Sequence, residues 1–122
     1  MPIPFRRELQ SFLAEYAEEH RGVRLGYMFG LPAIYAGRRL VSCLIEEGII
    51  IRLPLELARE EIRSRRGVPY NQHSRRTGNW VLYTPKSAGA ARALVPIVER
   101  ATRYQAERQT EEITGVRRRS RS

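Results

Sequence analysis

Between Arg24 and Leu53 the chain is cut into short apolar segments by Gly30, Gly37 and Gly48, and this punctuation narrows the accessible folds more than any other feature. The segment Arg24-Leu25-Gly26-Tyr27-Met28-Phe29 alternates with period two, which places Leu25, Tyr27 and Phe29 on one face of a strand. Leu31 to Tyr35 reads as a second strand ending in the Ala36-Gly37 turn. Leu40 to Ile45 reads as a third, and Glu46-Glu47-Gly48 is a compact turn before Ile49 to Leu53. Connections this short join antiparallel neighbours, because a parallel pair needs a crossover of about a dozen residues or more. The segment is therefore predicted to be a meander of three or four strands. Alternation along the third puts Val41, Cys43 and Ile45 on one face, with Leu40 and Leu44 on the other.

Helical spacing flanks the meander. Phe5, Leu9, Phe12, Leu13, Tyr16 and Ala17 recur every three or four residues, predicting a helix over residues 4–20 that Gly22 ends. Pro54 suits the first turn of a second helix, whose stripe is Leu55, Ala58 and Ile62 and which stops near Arg66-Gly67. From Gly67 to Asn79 the chain is polar and holds both Pro and Gly, which predicts a long loop with a short edge strand around Pro69 to Asn71. Trp80-Val81-Leu82-Tyr83 is a last strand. Ser87 can cap a terminal helix carrying Leu94, Ile97, Val98, Ala101 and Tyr104; Pro96 either kinks that helix or sits in its first turn, near Val95. The order α-β-β-β-β-α-β-α is that of an α+β domain, an antiparallel sheet of about five strands packed against helices. Residues 1–108 are assigned to this domain, and residues 109–122 to a polar, Arg-rich, flexible tail.

The arginines are the distinctive part of the composition. The chain has 122 residues and a formal net charge of +9, with 21 Arg, one Lys, 13 Glu and no Asp. Residues 1–58 hold seven Arg and seven Glu, so the whole excess lies in the second half. Arg59, Arg63 and Arg66 fall on one face of the second helix. Arg75 and Arg76 follow in the loop, and Arg117, Arg118, Arg119 and Arg121 near the C-terminus. Clustered guanidinium groups with Tyr70, His73 and Trp80 nearby are what a nonspecific phosphate-binding surface uses, so Arg63, Arg66, Arg75, Arg76, Arg117, Arg118, Arg119 and Arg121 are the candidate nucleic-acid contacts.

Other chemistries find little support. Cys43 is the only cysteine, lies in a strand context and reads as a small hydrophobe; no disulfide within the chain can form. His20 and His73 lack metal-ligand spacing, and His20 reads as a favourable charge near a helix C-terminus. Glu46-Glu47 and Glu60-Glu61 are adjacent in sequence, so their side chains diverge, and the scattered glycines make no nucleotide-binding loop. No catalytic, cofactor-binding or metal-ligating residue is assigned, and no cofactor or enzymatic activity is expected. A mean hydropathy of -0.47 with no long apolar run argues against a membrane span, and an N-terminus without an apolar targeting core is expected for a cytoplasmic protein.

Met28-Phe29-Gly30, followed by a short strand, the Gly37 turn, a strand from Leu40, the Glu47-Gly48 turn and a strand to Leu53, resembles the N-terminal domain of the TfoX/Sxy family. Arg52 near the end of the fourth strand and Trp80 before the terminal helix support the resemblance, which covers residues 7 to 106; YjbR-like domains are more loosely similar. The resemblance implies a small secretion-chaperone-like α+β fold, often a homodimer, in which Met28, Phe29, Gly30, Arg52 and Trp80 are structural. It supplies no catalytic residue. The chain is similar to the N-terminal domain standing alone, so the competence-related role of two-domain relatives does not carry over. Strands apolar at nearly every position suggest that the second sheet face is covered too, with a partner subunit the economical source. The expected function is a noncatalytic regulatory or protein-interaction module, a homodimer with an unidentified protein partner. The alternative is a nonspecific nucleic-acid-binding protein; a small enzyme ranks below both.

Overall fold

The computed structural model describes residues 4–70 and 79–114. A single turn of 3-10 helix, Arg7–Leu9, leads into helix α1 (Gln10–Glu19). The meander follows as β1 (Val23–Met28), β2 (Leu31–Ala36), β3 (Arg39–Leu44) and β4 (Ile49–Arg52). Helix α2 (Leu55–Arg63), the two-residue strand β5 (Val68–Pro69) and β6 (Trp80–Tyr83) come next. A short helix α3 (Ala88–Ala91) and a second 3-10 turn precede the long helix α4 (Val95–Thr114). The sheet is antiparallel throughout, in the order β1-β2-β3-β4-β6-β5. The α+β class and the meander are as expected, and β5 at Val68–Pro69 is the short edge strand expected after Gly67, which brings the sheet to six strands.

Local chemistry accounts for the helix ends. Ser87 Oγ accepts the Ala90 backbone N–H at 3.0 Å and caps the separate short helix α3, not the terminal helix as expected, and Pro96 sits in the first turn of α4, where its missing N–H leaves no bond unmade. Helix α2 ends with Arg65 at φ 63; the Arg66 N–H bonds the Glu61 carbonyl and the Arg65 N–H that of Ile62, a left-handed closure that turns the chain back over the helix. Helix α4 continues through Thr114, past the point where the composition turns polar. Its Gln109 side chain accepts the Arg38 backbone N–H at 3.0 Å, which ties that residue to the β2–β3 turn.

One sheet face carries the main core. Leu9, Phe12, Leu13 and Tyr16 of the N-terminal helical segment, with Val98 and Ala101 of α4, pack on Ile34, Leu44, Ile49, Ile51 and Val81. The opposite face holds a second cluster of Leu31, Ala33, Cys43, Ile45 and Ile50, to which no helical residue belongs among the described residues. The face assignment along β3 needs correction. Val41 joins Leu44 in the helix-side core, and Leu40 packs with Cys43 and Ile45 on the far side. A register shift between Ile34 and Tyr35 of β2 is the cause: Ile34 pairs with Ser42 but Tyr35 with Leu40, so Val41 is an extra residue and alternation breaks there. Among the described residues no helix is long and apolar enough to cross a membrane.

Candidate functional site

Two of the three arginines expected on one basic face, Arg63 and Arg66, carry ion pairs to glutamates of α2. Glu61 is 3 % exposed, and its Oε2 receives Arg66 Nε at 2.8 Å and Nη2 at 2.7 Å while its Oε1 accepts the Tyr83 hydroxyl at 2.8 Å. The closure at Arg65 delivers Arg66 to this carboxylate. Arg63 pairs with Glu60 one turn back. Burial and the hydrogen bond to Glu61 push the Tyr83 phenol well above its usual range, so it stays a donor. Arg63 and Arg66 therefore belong to an ion-pair network at the C-terminal end of α2, with side chains still 74 % and 55 % exposed, so their reading as phosphate contacts stays an expectation. Arg75, Arg76, Arg117, Arg118, Arg119 and Arg121 lie outside the described residues, as does His73.

The motif residues have unequal roles. Phe29 and Gly30 are the two central residues of the β1–β2 turn, with φ of 53° and 85°. Positive φ at both positions is the mark of a type I′ hairpin, where Asn-Gly is the common choice and a bulky side chain is strained. Phe29 is 81 % exposed, so neither core packing nor backbone preference explains a phenylalanine there. Tyr27 is 63 % and Leu25 41 % exposed, two apolar side chains on the Val23 side of a strand at the sheet edge, next to the Phe29 turn. On the other face of β1, Gly26 lets the Tyr35 ring cross the strand. The Tyr35 hydroxyl donates to the Tyr27 carbonyl at 3.0 Å, and the Arg24 guanidinium lies 4.6 Å from the ring centroid. Trp80 is half-buried with the second cluster, opposite Arg52 in the β4–β6 ladder.

Cys43 is fully buried, and desolvation pushes its thiol up to about 12, which keeps it an unreactive thiol at neutral pH. Among the described residues no group of three or more His, Cys, Asp and Glu side chains is placed to hold a metal. A shallow cleft of about 170 Å³ beside α1 is lined by Phe12, Glu15, Tyr16, Glu19, Arg92 and Val95, and an Arg92–Glu15 pair at 3.3 Å spans it.

His20 follows α1 directly and stacks on Tyr16, with ring centroids 3.8 Å apart. Its Nδ1 lies 2.9 Å from the Tyr16 carbonyl and its Nε2 3.0 Å from Glu99. Partial burial lowers its pKa, but the bonds to Glu99 and the Tyr16 carbonyl outweigh this and raise it above the usual 6.5. A folded-state pKa above the unfolded one gives stability that is fully present below about pH 6.5 and lost as pH rises through the folded value. The melting temperature should therefore fall modestly between pH 6 and pH 8, and His20→Gln should remove that part of the slope. Thermal melts of both proteins across this range check it; parallel curves would show that the pair contributes nothing.

Comparison with protein-family models, with curated proteins and with solved structures finds no match to this chain.

Proposed function

We propose that the protein is a noncatalytic interaction module that works as a homodimer, as the resemblance to the TfoX N-terminal domain implies, with the β1 edge as the dimer contact. The observation that carries this reading is Phe29, a large apolar side chain held at positive φ in full exposure, in line with exposed Tyr27 and Leu25. Strained backbone and exposed apolar surface each cost stability, and their coincidence marks a surface kept for contact. The second sheet face no longer needs a partner, since Leu31, Ala33, Cys43, Ile45 and Ile50 are already screened within one chain.

A second copy suits this edge. Of the two sheet edges, β1 offers six residues and β5 two, one of them Pro69. Antiparallel pairing of β1 with itself about Gly26 sets Leu25 against Tyr27 of the partner subunit and Arg24 against Met28 of the partner subunit. It joins apolar groups on one face and brings no like charges opposite each other. The Tyr27 carbonyl, bonded by Tyr35, keeps a second lone pair for the ladder.

Sedimentation equilibrium at low micromolar concentration should give about twice 14.1 kDa for the wild type, and Tyr27→Glu should shift it to monomer with an unchanged circular-dichroism spectrum. Phe29→Asn is more telling. It supplies the residue the turn prefers, so monomer stability should rise by about 0.5–1 kcal/mol while association weakens. A wild type that sediments only as a 14.1 kDa species would overturn the reading.

A further inference from the structure

Three buried side-chain polar atoms among the described residues lack a hydrogen-bond partner: Arg52 Nε, Gln105 Nε2 and Arg108 Nε. All three are N–H donors, and all belong to one region, the end of the sheet where β3 begins, β4 stops and the C-terminal half of α4 crosses. Asn79 Nδ2 donates to the Leu53 carbonyl, next to Arg52, and lies 3.4 Å from the Tyr104 hydroxyl. The Arg108 guanidinium sits 5.4 Å from the Tyr104 ring centroid, and Arg39 Nε donates to Gln105 Oε1 at 2.6 Å. That last bond fixes the Gln105 amide: its oxygen must face Arg39, so its NH₂ is left pointing at no acceptor, in a residue 0 % exposed.

Buried donors are almost always satisfied, and elsewhere this chain pairs its arginines with carboxylates, as in Arg6–Glu8, Arg63–Glu60, Arg66–Glu61 and Arg92–Glu15. Arg52 Nε and Arg108 Nε have no such partner. Arg52 feels partial burial first, then Tyr104, Arg108 and Arg39, and two of these three neighbours carry its own sign. Arg52 and Arg108 are only partly buried as residues, although their Nε atoms are themselves buried. Glu111, about a turn beyond Arg108 on α4, already has an interaction of its own.

We propose that this end of the sheet binds a phosphate group, with Arg52, Arg108 and Gln105 donating to its oxygens. Guanidinium N–H pairs match phosphate geometry, and two like charges brought together in a partly desolvated place call for a dianion more than for a singly charged carboxylate. A phosphomonoester or inorganic phosphate satisfies that charge better than the single charge of each nucleic-acid phosphodiester. The site is independent of the β1 dimer contact, so failure of one leaves the other standing.

The test is a titration of the ¹⁵N-labelled full chain with inorganic phosphate, holding ionic strength constant with potassium chloride and observing the arginine Nε–H resonances. Those of Arg52 and Arg108 should move with saturation while Arg63 stays still, and Arg52→Gln should raise the apparent dissociation constant at least tenfold. A short DNA duplex added in place of phosphate separates the sources. Saturation at lower phosphate-group concentration with duplex assigns the site to nucleic acid, and the reverse assigns it to small phosphorylated ligands; either outcome supports a phosphate site. If the Arg52 and Arg108 resonances move no more with phosphate than with chloride, the proposal is wrong, whatever the variant does.

Discussion

Gly48→Ala should destabilise the protein by about 3 kcal/mol or more, the largest effect expected of any single added methyl group. A Cβ at this position would overlap the Tyr83 carbonyl oxygen and sit 3.2 Å from its carbon and 3.3 Å from the Thr84 Cα. All are backbone atoms. Tyr83 is paired with Ile49 in the β4–β6 ladder, so β6 cannot retreat without breaking the pairing that holds the second half of the sheet to the meander. Urea unfolding should show the midpoint falling sharply with little change in slope. Gly89→Ala is the control: its nearest neighbour is Ser87 Oγ at 3.7 Å, in a helix where alanine is preferred, so that variant should be neutral or stabilised by up to about 1 kcal/mol. Equal midpoints for the two variants would show that the Gly48 contact is not rigid.

The second large effect is at Glu61. Glu61→Ala strips Tyr83 of the acceptor for its buried hydroxyl, releases Arg66 and leaves a void under α2, for a loss of about 2–3 kcal/mol. Glu60→Ala, on an exposed neighbour, should change stability by less than about 0.5 kcal/mol. Arg66→Ala should follow Glu61→Ala in direction, because it strands a buried carboxylate, while Arg63→Ala should not. Thermal melts of the four variants check this, and an Arg66→Ala protein as stable as wild type would dismiss the network. The pattern also governs how the nucleic-acid alternative is tested. Removing Arg66 to abolish phosphate contacts damages the fold, so a loss of binding in that variant would report on structure and not on charge.

The parts legible in the sequence were those governed by neighbours along the chain. Period-two and period-three-to-four spacings identified the meander and its flanking helices; Pro96 marked the start of the terminal helix, whereas Ser87 caps the short helix before it. The inert burial of Cys43 followed from its apolar neighbours. Tertiary structure decided the rest, since each case turned on a group distant in the chain. Alternation assumes unbroken pairing, and the bulge that sends Val41 to the helix side arises only where β2 meets β3. A run of arginines looks like free charge until a buried carboxylate claims one, and Glu61 is buried because Tyr83, 22 residues away, supplies its other hydrogen bond. Alternation placed Phe29 on a strand face with Leu25 and Tyr27, but it occupies the hairpin tip at the sheet edge and is 81 % exposed. Arg52, Gln105 and Arg108 are more than 50 residues apart at the extremes, and only the crossing of α4 over the end of the sheet makes them neighbours. Local periodicity records which face is apolar; it carries no record of which polar groups will meet, because that depends on long-range packing.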